Sequence, residues 1–463
     1  MIPMPAAQIA ELTGAVLDAV PDPGAVIHGP VIIDSRQASP GALFAALPGE
    51  HADGHDFAGR AVRAGAVAVL ATRPVGVPAL IVGDVPAALG RLARAVADRL
   101  PGLTIAGITG SAGKTTTKDL AAQLIGSLGP TVAPRNSFNN EIGHPLTVLR
   151  AGPETKYLIA ELSARGPGHI AALCAIAPPS LGVVLCVGNA HAGEFGSQEQ
   201  IAAAKSELPR ALPPGGVALL NADDRLVAAM AGRTAARVVT FGRSPGAEVR
   251  AEQVSLDELS RPRFRLVMPD GAAPVALRLH GEHHITNALA AAALAGELGM
   301  AAGDIAEGLS AAVALSRWRM EVTERPDGVI VINDAYNASP EAVTAALAAQ
   351  REMARGRRAY AVLGRMAELG DRSREFHEQA GVDAARAGVA GLIAVGDEAA
   401  PMLTGAKAVP GFAGELLAVT DGEAALAALT ERLRPGDVVL VKASRATGLQ
   451  TLALALAAGE GAR

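Results

Sequence analysis

The sequence predicts an α/β protein of three domains. These are a small mixed α/β domain over 1–100, a central phosphate-loop domain with a mostly parallel sheet over 101–316, and a C-terminal Rossmann-like domain over 317–463. Three observations lead there. The chain has 463 residues, too many for one ordinary core, and length alone suggests about three domains. Short β-branched runs alternate with helical stretches, most regularly after Arg319, as parallel strands joined by crossover helices do. The stretch from Thr104 to Thr117 reads as strand, glycine-rich loop, Lys-Thr and helix, and opens a new unit just past the breaker Pro101-Gly102.

In the first hundred residues, 31–33, 66–70 and 79–82 are expected strands and 87–100 a helix. In the central unit the strand candidates are 104–109, 157–160, 181–187, 217–220 and 237–241. A β-rich patch over 248–279 follows, with strands at 263–268 and 275–279, and then an alanine-rich helix over 285–298. The last unit alternates strand 329–333, helix 340–354, strand 359–363, helix 373–387, strand 392–395, helix 423–433, strand 438–441 and a final helix.

Half the residues are hydrophobic but only 3% are aromatic, so the cores must be built from Ala, Val, Leu and Ile. A net charge of −5 with no basic cluster argues against a nucleic-acid partner. Cys174 and Cys186 fit buried thiols in a reducing compartment. No segment approaches the ~18 apolar residues of a membrane span, and the N-terminus lacks the features of a signal peptide. A soluble, cytoplasmic protein without membrane insertion is expected.

Gly110, Ser111, Ala112, Gly113, Lys114, Thr115 and Thr116 form the most informative segment. Glycines let backbone N–H groups converge on phosphate oxygens, and the N-terminus of the following helix adds partial positive charge. Apolar Leu120, Ala121, Leu124, Ile125 and Leu128 mark one face of that helix. Lys114 would neutralise the β- and γ-phosphates of ATP, and the Thr115 hydroxyl would face Mg²⁺. The longer form of this motif has a further glycine where Ile108 stands.

Glu161 follows an apolar strand, at the end where ligands gather in open parallel sheets. A carboxylate there can complete a Mg²⁺ shell, and a surface glutamate fits the same pattern. Taken alone, His191 reads as a hydrogen-bonded loop histidine and Lys205 as a helix-surface lysine with its amine in water.

Taken together and in order, these segments resemble the Mur ligases, the ATP-dependent amide-forming enzymes of peptidoglycan precursor synthesis. The resemblance spans the chain: Asp34-Ser35-Arg36, Gly41-Ala42-Leu43-Phe44 and Asp53-Gly54-His55-Asp56-Phe57; the short phosphate loop; Asn136 to Gly143; Gly281 to Asn287; Arg319-Met320-Glu321; Asp334 to Pro340; Leu363 to Gly370; and Val441 to Arg445. Within the family, the motifs look like the branch joining D-alanyl-D-alanine to UDP-N-acetylmuramoyl-tripeptide. The branch that adds the third peptide residue usually carries an Asp-Asn-Pro-Arg segment, which is absent here. Folylpolyglutamate synthase shares the ligase core but not this first domain.

The resemblance implies roles for individual residues. Glu161 and His191 are assigned to Mg²⁺ with Thr115, Lys205 becomes a carbamylated lysine, and Asn287 lies near adenine. Arg319 reaches the ATP phosphates and Asp334 contacts nucleotide. Ser35, Arg36, Phe44, Asn139 and Asn140 are assigned to UDP-N-acetylmuramoyl-tripeptide. Lys114, Lys205, His191 and Arg319 are the expected catalytic residues. A monomer is expected, with a hinge near 314–320 that closes the last domain on the central one. His284 stands where the pattern has Asn, Arg365 where it usually has Asp, and Ser163-Ala164-Arg165-Gly166 with His169 also depart from it. Arg365 would add positive charge beside the site, and Trp318 would plug an interdomain contact. A phosphate-loop switch or motor is the reading from a different class.

Overall fold

A computed structural model describes residues 1–49, 52–189 and 192–459. Its three large sheets fall at 16–81, 104–276 and 321–442. The first has five strands in the spatial order Val16–Asp18, Ala79–Ile81, Ala68–Ala71, Leu43–Ala45 and Val31–Ile32, parallel except for the first pair. The central sheet has nine strands. It is parallel from Thr131–Val132 through Tyr157–Glu161, Thr104–Thr109, Leu181–Val184, Val217–Asn221 and Arg237–Gly242 to Val249–Leu256, and ends in the antiparallel Pro262–Met268 and Gly271–Ala276. The last sheet has six strands, with Glu321–Glu324 as its antiparallel edge.

Alanine, valine, leucine and isoleucine do fill the cores. Apolar clusters lie on both faces of the central and last sheets, which is why their inner strands are apolar without alternation. The alanine-rich helix His284–Glu297 is buried along nearly its whole length, because small side chains let it lie close to its neighbours.

Three details differ from expectation. The strand beginning at Leu181 stops at Val184, because the Cys186 carbonyl leaves the sheet to accept the Ser111 N–H at 3.0 Å. The last strand of the β-rich patch is Gly271–Ala276, earlier than 275–279, since the hairpin turns immediately after Met268. Leu43–Ala45 and Glu321–Glu324 form strands too short for periodicity to reveal.

The junctions between the sheets decide where a site can form. Leu89, Leu92 and Val96 of the first unit share one apolar cluster with Ile105, Val148, Leu149 and Leu158 of the central unit. The central and last units meet mainly through polar contacts, Gly193 N–H donating to Glu368 O at 3.2 Å among them, with Leu259 packed against the last unit's core. Between these two units runs a segment, 312–320, without helix or strand.

Candidate active site

A cavity of about 460 Å³ lies at this polar junction, lined by the phosphate loop, Glu161, Arg319, Asp334, Glu341 and Lys442. The strand Thr104–Thr109 runs between two parallel neighbours, Tyr157–Glu161 and Leu181–Val184, so three strand ends converge on the loop. Gly113 caps the following helix, Lys114–Ile125, with φ of 82°. A Cβ at Gly113 would sit 2.3 Å from Asn287 Oδ1, so both the backbone angle and the close approach demand glycine. Asn287 is buried; its Oδ1 accepts from Thr117 Oγ1 at 3.3 Å, and its Nδ2 lies 3.1 Å from His284 Nδ1. His284 thus braces Asn287, and burial holds its pKa well below the ordinary value.

Lys114 Nζ donates to Gly110 O at 2.7 Å. Burial lowers its pKa, while the Glu161 charge pulls the other way. Thr115 Oγ1 pairs with Ser137 Oγ at 3.0 Å, and Ser137 also accepts from Arg319 Nη2 at 2.9 Å. A single serine therefore links the loop threonine to the arginine that follows the interdomain segment. The Arg319 guanidinium lies 4.2 Å from the centre of the Tyr336 ring, and its Nε is buried without a partner among the described residues. Trp318 and Met320, on either side, have φ of 61° and 51°, a costly conformation for such side chains.

Glu161 is 1% exposed, which removes the reading as a surface residue. Its Oε1 accepts from Asn139 Nδ2 at 2.6 Å, and its Oε2 is buried with no partner among the described residues. An unpaired buried carboxylate oxygen is costly unless a cation completes it. With the Thr115 hydroxyl lining the same cavity, the oxygen donors suit Mg²⁺, which commonly takes one or two protein ligands and leaves the rest to phosphate and water. No group of three or more His, Cys, Asp or Glu poised for a metal occurs among the described residues. His191 lies outside them.

Lys205 ends the helix Gln198–Lys205 and is 4% exposed, so it is not a surface lysine. Burial and the neighbouring Lys114 charge bring its pKa down to about 7, with Cys186 acting in the opposite sense. Much of this amine is therefore neutral near pH 7, the form able to capture CO₂.

The last sheet contributes the other wall. Asp334 Oδ1 accepts the Met320 N–H at 3.1 Å, and its Oδ2 accepts from Lys442 Nζ at 2.5 Å. Lys442 is 2% exposed and also donates to Asn337 O at 2.9 Å. Ser137, Tyr336, Glu341 and Lys442 were not singled out from sequence. Each sits inside a motif segment or directly after one, and that adjacency was the signal available.

The remaining candidates fall elsewhere. Phe44 is 1% exposed and packs with Ile32, Ala58 and Val69, so its ring belongs to the core and has no surface to offer a ligand. Arg36 is exposed and forked onto Asp34, and Ser35 is buried beside it. Neither lines the cavity. Asn139 and Asn140 do line it, yet Asn140 Oδ1 also accepts the Gly143 N–H at 2.9 Å. Ser163, Arg165 and His169 line the cavity too. Arg365 does not; its charge is paired with Glu398 at 2.9 Å. Trp318 is half-buried below Arg445, whose guanidinium lies 5.9 Å from the ring centre.

Three family models match consecutive stretches: the Mur ligase family, catalytic domain, over 27–101; the Mur ligase middle domain over 108–295; and the Mur ligase, glutamate ligase domain, over 318–445. The UDP-N-acetylmuramoyl-tripeptide–D-alanyl-D-alanine ligase of Mycobacterium tuberculosis (strain ATCC 25618 / H37Rv) is 51% identical, covering 99% of each chain. Among solved structures, MurF from Acinetobacter baumannii superposes with a TM-score of 0.87 at 31% identity, covering 98% of this chain and 99% of that one. The MurF ligase from Thermotoga maritima in complex with ADP gives 0.79 at 30% identity, covering 93% and 97%. With its phosphate loop, its orphaned carboxylate and full-length likeness to these proteins, the chain belongs to the Mur ligase family.

Proposed function

We propose that this chain is an ATP-dependent ligase that joins D-alanyl-D-alanine to UDP-N-acetylmuramoyl-tripeptide, giving the pentapeptide, ADP and phosphate. The observation that carries the reading is end-to-end likeness to the Mycobacterium tuberculosis enzyme of that name, 51% identical over 99% of both chains. The division of labour we propose follows the segments 1–100 for the UDP substrate, 101–316 for ATP and 317–463 for closure and the incoming dipeptide.

The chemistry suits the groups in the cavity. A carboxylate is a poor acyl donor because oxide is a poor leaving group. Transfer of the γ-phosphoryl group to the tripeptide's terminal carboxylate makes an acyl phosphate. The dipeptide amine then attacks the acyl carbon, the C–O bond to phosphate breaks, and the nitrogen sheds a proton as the amide forms. Lys114 and Arg319 face the phosphates and stabilise charge on the transferring group. Glu161, Thr115 and His191 would hold Mg²⁺, with Lys205 helping as a carbamate anion. Bound there, Mg²⁺ neutralises and orients the phosphate oxygens. The carbamate forms when the neutral Lys205 amine attacks CO₂ and loses a proton. We further propose that the protein works in the cytoplasm as a monomer and closes about 314–320 when ATP and tripeptide are bound.

The test is phosphate release from ATP and Mg²⁺ with UDP-N-acetylmuramoyl-tripeptide, with and without D-alanyl-D-alanine, the nucleotide product being weighed by mass spectrometry. Release that needs both substrates, with a pentapeptide product, is expected. Release indifferent to the dipeptide would overturn the reading.

A further inference from the structure

Two carboxylate oxygens in the cavity are buried and unpartnered among the described residues, and the metal accounts for one. Glu161 comes from the central sheet, in a cavity wall it shares with the phosphate loop. The other is Glu341, in the first turn of the helix Pro340–Ala354 of the last unit. Its Oε1 accepts both the backbone N–H of Asn189 at 2.6 Å and the Asn189 side-chain amide at 2.9 Å. Its Oε2 is buried and has no partner among the described residues. The approach is close enough that a Cβ on Gly188 would lie 2.6 Å from the Glu341 carboxyl carbon. Two donors on one oxygen hold the group rigidly and leave the second oxygen bare.

A contact between domains or a helix-dipole interaction needs no such bare oxygen. A negatively charged oxygen deprived of water is retained at a cost unless a cation reaches it. The reaction brings one that the cavity residues have not yet accounted for: the dipeptide arrives as an ammonium. One carboxylate oxygen suffices for an ammonium.

We propose that Glu341 Oε2 receives the ammonium group of the incoming dipeptide and orients its nitrogen toward the acyl carbon, the ammonium giving one proton to solvent to become the amine that attacks. This rests on the reading that the chain ligates D-alanyl-D-alanine. Closure would then complete the acceptor site, since Glu341 is held by Asn189 of the opposite unit.

The test is steady-state kinetics of the full chain carrying Glu341→Gln. Glutamine keeps an oxygen for both Asn189 donors but turns an N–H₂ toward the ammonium. The KM for D-alanyl-D-alanine should rise about 10- to 100-fold, with KM for ATP and for UDP-N-acetylmuramoyl-tripeptide within about twofold of wild type. An unchanged dipeptide KM, or a change confined to the Mg²⁺ requirement, would overturn the proposal. Wild type alone supplies a second measurement that does not depend on the variant folding. D-lactyl-D-alanine, with a hydroxyl in place of the ammonium, should inhibit far more weakly than D-alanyl-D-alanine binds, and equal affinity would also overturn the proposal. Wild type that makes no pentapeptide would instead sink the ligase reading itself.

Discussion

The first and central units are joined by an apolar cluster, the central and last units by a cavity. At the first junction Leu89 and Leu92 share a core with Leu158 and Val148, so separating the two units would expose hydrocarbon. At the second, Asn189 to Glu341, Arg319 to Ser137 and Gly193 to Glu368 are hydrogen bonds that water can replace, and Leu259 adds only a single partly buried side chain against the last unit's core. The segment entering the last unit carries left-handed backbone at Trp318 and Met320. One junction is therefore built to stay shut, and the other is the one we propose opens and closes. The chemistry we propose lies at the second, where substrates would enter and water would then be excluded.

The contrast can be broken at either junction, and the largest effect is expected in the cavity. Lys114→Ala removes the cation we propose faces the transferring phosphate, and kcat should fall by about 10³ with Tm nearly unchanged. Lys205→Ala should also abolish turnover. Excess bicarbonate should not restore it, while short carboxylic acids able to stand in for the proposed carbamate should do so in part; turnover like wild type would remove Lys205 from the mechanism. At the apolar junction, Leu89→Ala should cost about 2–5 kcal/mol of stability by chemical denaturation, leaving kcat within about twofold. A kinetic loss there, without a stability loss, would mean that this junction also moves.

Arg319→Lys keeps the charge but loses the planar stack on Tyr336 and the reach to Ser137, and should lower kcat by about 10- to 100-fold. Small-angle scattering should show compaction only when an ATP analogue and the tripeptide substrate are both present, which would sharpen the contrast by timing the second junction.

The smallest effect is on acid stability. Burial pushes the pKa of His144 and His283 down to about 4, from an ordinary 6.5. The unfolded chain takes up those protons first. The stability these neutral rings allow is thus complete above pH 6.5 and is lost as pH falls from 6.5 toward 4. Scanning calorimetry should show Tm dropping by about 2–4 °C over that window, with less drop in His144→Gln. A flat profile would mean that these rings titrate alike in the folded and unfolded chain.

How legible the site was depends on distance along the chain. The phosphate loop lies within one strand–loop–helix unit, so its glycines and Lys-Thr announce it locally. Alternating apolar runs likewise marked most strands and helices, because burial on both faces leaves a continuous hydrophobic stretch in the sequence. The short strands Leu43–Ala45 and Glu321–Glu324 escaped, since three or four residues carry no usable period. Arg36 and Phe44 stand side by side with motif residues, yet one is forked onto Asp34 and the other fills a core.

By itself, then, the sequence determined the α/β class, the family resemblance and the strand–loop–helix at 104–125, because each is written in residues that are near neighbours. Only the tertiary structure decided that the Lys205 amine is buried and its pKa pushed down, that Glu161 and Glu341 keep an oxygen bare among the described residues, and that Asp334 is held by Lys442. Burial and pairing depend on which distant segments pack together. A carboxylate or an amine carries no mark in the sequence of the water it will lose.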